Sequence, residues 1–91
     1  MKPYLVSYDL DKPGPQNYHP LVKELERLGA IRILYSEWII KAQWNAIQLR
    51  NHLQSFIDVN DDKLLIVGLT GEAAWTSLMV DNESFKQSIA A

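Results

Sequence analysis

Between Gly29 and Gln43 the chain reads Ala-Ile-Arg-Ile-Leu-Tyr-Ser-Glu-Trp-Ile-Ile-Lys-Ala, an apolar, β-rich run with no helical period. As one strand it would extend about 40 Å at about 3.3 Å per residue. That is too long for a domain built from 91 residues. The run therefore breaks at Tyr35-Ser36 into a hairpin of 30–34 and 37–42. The turn chemistry is weak, because neither residue favours φ > 0. One bent or bulged strand is the alternative. An antiparallel hairpin in mid-chain limits what the flanking segments can build.

Before the hairpin, Tyr4-Leu-Val-Ser-Tyr-Asp9 alternates like a strand, with Tyr4, Val6 and Tyr8 on one face and Leu5, Ser7 and Asp9 on the other. Pro13-Gly14 ends it in a turn. Leu21, Val22, Leu25 and Leu28 recur at helical spacing, and Gly29 is the expected C-terminal stop, so a helix is predicted over 18–28. After the hairpin, Asn45 with Gln48 forms a capping box, and Ala46, Leu49, Leu53, Phe56 and Ile57 form the buried stripe of a second helix. His52 and Arg50 fall off that stripe, and His52 reads as surface filler. Asn60-Asp61-Asp62 is a turn. The unbroken apolar run 64–69 reads as a strand covered on both faces.

Residues 73–79 read as a short strand or an extended arm, and 81–91 as a flexible tail with room for a turn or two of helix. The order strand, helix, hairpin, helix, strand is a split βαβ arrangement. The fold class is α+β: a ferredoxin-like βαββαβ sandwich, one domain over 1–80, with two helices on one face of an antiparallel sheet. Two helices leave the other face oily, and a homodimer burying Leu5 and the Trp75 segment would cover it.

Composition narrows the function. With no cysteine, thiolate catalysis, disulfide scaffolding and Cys-based zinc sites are excluded, which fits a cytoplasmic protein. No apolar run is long enough for a membrane span. Met1-Lys-Pro leads directly into the first strand, so no signal peptide is expected. Net charge is -2, and the 9 basic residues are nowhere adjacent, which argues against tight duplex binding by a monomer. A dimer groove would be needed to gather Arg32, Lys41 and Lys63.

The predicted topology collects Asp9, Asp11, Tyr35, Ser36, Glu37, Asp61 and Asp62 at one end of the sheet, with Glu72 at the far end. An acid at the mouth of a strand, before a rigid loop, is a candidate site; the plainer reading of Asp9 is a solvated strand end.

Several ordered motifs then carry a resemblance: Tyr-Asp-Leu-Asp-Lys-Pro-Gly at 8–14, Ser-Glu-Trp-Ile-Ile-Lys at 36–41, Asn60-Asp61, and Leu-Thr-Gly-Glu-Ala-Ala-Trp at 69–75. Over about residues 4–76 the chain resembles the small subunit of CRISPR integration complexes, the Cas-two family, and more closely the short bacterial and phage proteins labelled SinR-like or Cas-two-like. The resemblance implies a ferredoxin-like homodimer with strand-end acids near the two-fold axis. Family members act either as metal-dependent nucleases or as DNA-holding scaffolds. The segment after Asp9 lacks the arginines usual in Cas-two proteins, and no helix-turn-helix is present.

Two functions stay open. One is a homodimeric binding or scaffold module, without strong catalysis, that docks nucleic acid or a partner protein. The other is a Mg²⁺-dependent endonuclease acting on RNA or DNA. In it Asp9 of both subunits holds the metal, Asp11 and His19 help as ligand and proton donor, and Ser36 orients a phosphate.

Overall fold

The computed structural model describes residues 1–12 and 16–90. The elements are β1 (Lys2–Asp9), α1 (Pro20–Arg27), β2 (Ile31–Leu34), β3 (Glu37–Ala42), α2 (Ala46–Gln54), β4 (Lys63–Gly68) and α3 (Asn82–Ile89). They form a small α+β unit, with one four-stranded sheet in the order β2-β3-β1-β4. All three pairings are antiparallel. The predicted turn at Pro13-Gly14 lies outside the described residues.

Local chemistry accounts for the helix ends. His19 caps α1, its Nδ1 accepting from Leu21 N at 3.1 Å, and Pro20 occupies the first turn, where no backbone donor is needed. At the other end Gly29 has φ 79. Its N–H donates to Glu26 O at 3.1 Å and that of Ala30 donates to Leu25 O at 3.0 Å, a Schellman closure that favours glycine. At the start of α2 the capping box is complete. Gln48 N donates to Asn45 Oδ1 at 2.8 Å, and Asn45 N donates to Gln48 Oε1 at 3.0 Å.

The hairpin falls where strand length demands it, with Tyr35-Ser36 linking β2 and β3. Among the described non-glycine residues only Ser77 has positive φ, so the turn is made without a left-handed residue. The register instead shifts between Arg32 and Leu34, a bulge beside Ile33.

Two apolar cores lie on opposite faces of the sheet. Tyr4, Val6, Tyr8, Trp38 and Ile40 pack with Leu21, Val22, Leu25, Leu49 and Leu53 from α1 and α2. On the other face Ile33 and Ile39 pack with Phe85 and Ile89 of α3, joined by Leu5, Leu69, Trp75 and Leu78. This second core corrects the expected open face. The arm over 69–80 crosses that face, tied down by Leu69 N to Pro3 O at 3.0 Å and by Met79 N to Ile33 O at 2.9 Å. Where a tail was expected, Asp81 caps α3 by accepting from Ser84 N at 3.3 Å. Leu5 and Trp75, expected in a dimer interface, are used within the chain because α3 supplies the missing layer.

A second correction concerns β4. Its Leu64 and Ile66 pack on the α1/α2 core, but Leu65 and Val67 on the other face are 56% and 39% exposed. The strand stands at the sheet edge and is covered on one face only.

Candidate functional site

The topology brings the strand-end acids together as their order requires. Asp9 closes β1 and pairs in register with Lys63, the first residue of β4. Its side chain is 78% exposed, and the Lys63 ammonium lies 4.0 Å away. The neighbouring loop is organised by Asp62. Its Oδ1 accepts from Asp11 N at 2.8 Å and its Oδ2 from Asp58 N at 2.9 Å. These two backbone donors hold the Asp62 carboxyl below its ordinary range, with a smaller contribution from nearby His19 and Lys12. Asp61 moves the other way. The Asp58 carboxylate beside it raises its pKa, with lesser effects from Asp11 and Asp62.

Asp11 and His19 thus sit close to Asp62, with the Asp11 backbone, not its carboxylate, making the contact. The His19 Nδ1 is committed to capping α1. Ser36 lies in the hairpin turn, and its carbonyl accepts from Tyr8 N at 3.2 Å. On the α3 side of the sheet Ser7 Oγ donates to Glu37 Oε2 at 3.0 Å. Among the described residues no group of three or more His, Cys, Asp or Glu is placed to hold a metal ion. Asp9 brings a single carboxylate, already beside a lysine, so the described residues of this chain do not fit a metal centre.

The cations named from the sequence are divided. Arg32 donates from Nε to Tyr35 O at 2.9 Å and from Nη1 to Asn17 Oδ1 at 3.2 Å, and it stacks on the Tyr35 and Trp38 rings. Lys41 and Lys63 remain exposed.

A polar cluster on the helical layer was not legible as such. Glu24, 5% exposed, takes a paired hydrogen bond from Arg27 Nε and Nη2, both at 2.6 Å. His52 of α2 donates from Nε2 to the same carboxylate. The His52 ring lies between Trp44, at 4.8 Å, and Phe56, at 5.4 Å between centroids. His52 is therefore not filler. Phe56 stands four residues after it, in the turn just past the end of α2, where its ring still reaches His52.

No protein-family model matches this chain, and no solved structure matches it. No helix among the described residues is long and apolar enough to cross a membrane.

Proposed function

We propose that this chain is a homodimeric binding module with a ferredoxin-like sheet, similar in plan to the Cas-two group, located in the cytoplasm. It holds nucleic acid or a partner protein of a bacterial or phage system and does no strong catalysis. One observation carries the reading: β4 is an edge strand whose Leu65 and Val67 face solvent. An edge strand offers unpaired N–H and C=O groups, and apolar side chains beside it favour pairing with a second strand. A second copy joined at β4 would bury both residues and extend the sheet through the interface. Lys41 is exposed outside that edge and stays available for a partner's phosphates or carboxylates.

Light scattering on the purified protein at about 10 μM tests this. The expected mass is about twice the 10.4 kDa of one chain. A monomer at that concentration removes the proposal.

The second reading, Mg²⁺-dependent cleavage, is favoured by the exposure of Asp9 at a strand end next to the free edge. It requires carboxylates from two subunits, since Mg²⁺ is usually held by one or two carboxylates and several waters. Bound there, the metal would supply charge neutralisation at a phosphate and an activated water.

A further inference from the structure

The arm over 69–80 does not lie flush on the sheet. Between them is a groove of about 370 Å³, within the size range of small-molecule sites. Its walls are Leu5, Ile33 and Ile39 from the sheet, with Trp75 and Phe85 from the roof. The two aromatic rings meet edge to face, 4.6 Å apart. Trp75 Nε1 donates to Asn82 Oδ1 at 3.0 Å, which fixes the indole. Both ends of the arm are tied to the sheet by backbone hydrogen bonds. The groove is therefore preformed, and filling it costs little ordering.

Its charged lining groups are Glu37 and Glu72, and both are acids. Glu72 was expected far from the hairpin end, yet the returning arm gives it a place in the same groove. Glu37 is half-buried and oriented by the Ser7 hydroxyl at 3.0 Å. An apolar slot with aromatic walls and carboxylates complements a cation carrying an apolar body. The carboxylates supply charge-assisted hydrogen bonds, and the ring faces attract a cation as well. A neutral ligand of the same shape would gain only the apolar contacts, and an anion would be repelled.

We infer that the groove between the sheet and the C-terminal arm binds a small organic cation, a primary amine on an aromatic or branched aliphatic body, with its ammonium at Glu37. The site lies on the α3 side of the sheet and does not depend on a dimer at β4.

The test is a ¹H–¹⁵N NMR titration of the full chain with three probes of one shape: 2-phenylethylammonium, 2-phenylethanol and 3-phenylpropanoate. The amine is expected to give saturable shifts at Leu5, Ile39 and the Trp75 indole, and to bind about tenfold tighter than the alcohol. The anion should bind weakest. Glu37→Gln should remove the preference for amine over alcohol while leaving the alcohol's affinity unchanged. No saturable shifts at these residues, equal binding of amine and alcohol, or an amine preference that survives in Glu37→Gln would each overturn the inference. If Glu37→Gln does not fold, the wild-type ranking of the three probes decides.

Discussion

His52 on α2 and Glu24 on α1 share a hydrogen bond that joins the two helices above the sheet. Arg27 holds the same carboxylate from the other side. The Arg27 hydrogen bonds are the main cause of a Glu24 pKa lowered to about 2, against the desolvation that opposes it and with His52 adding to it. A carboxyl with a depressed folded-state pKa stabilises the protein above its unfolded value, near 4.5, and loses that contribution as pH falls towards 2. Urea midpoints measured from pH 6 to pH 2 should drop across that window. Glu24→Gln should flatten this acid limb and lower stability at pH 7 by about 1–3 kcal/mol.

Phe85→Ala should destabilise the protein by about 3 kcal/mol, because it opens a cavity against Ile33, Ile39 and Trp75. Urea unfolding at neutral pH reads this directly. A loss below about 0.5 kcal/mol would mean that α3 does not stabilise the second core.

Under the proposed pairing at β4, Leu65→Asp is expected to convert the dimer to a monomer in light scattering, with little change in thermal stability beyond that due to dissociation. Its side chain faces solvent within one chain, where most substitutions cost about 0.5 kcal/mol or less.

Asp9→Asn separates the two functional readings. As a binding module the wild type leaves RNA and DNA intact with Mg²⁺ or Mn²⁺, and the variant behaves the same. As a nuclease the wild type cuts and the variant does not. Folding should be indifferent to the change, because an exposed ion pair such as Asp9–Lys63 contributes only about 0–1 kcal/mol.

The elements that sequence reasoning reached are those whose cause is local. Chain length forced a break at Tyr35-Ser36, Asn45 and Gln48 cap each other across one turn, and Gly29 takes the conformation for which it was chosen. The third helix was harder to see. Asn82–Ile89 carries only Phe85 and Ile89 as buried anchors, too few to show a period. The apolar run in β4 reads alike whether its outer face is covered by this chain or by another. The Asp9 end was assembled correctly by topology, but the roles of Asp62 as a loop clasp and His52 as a helix tie depend on contacts between distant segments.

The covering of the second core by 69–89 also sets an order of events during synthesis. Leu5, Ile33 and Ile39 leave the ribosome long before Phe85 and Ile89, which complete their cover. At about 5–20 residues per second, the last turn of α3 follows β3 by several seconds. Until then Leu5, Ile33 and Ile39 lack the cover that α3 gives them in the complete fold. Chains in which α3 has not yet docked are therefore expected to associate through that face more readily than the complete fold does.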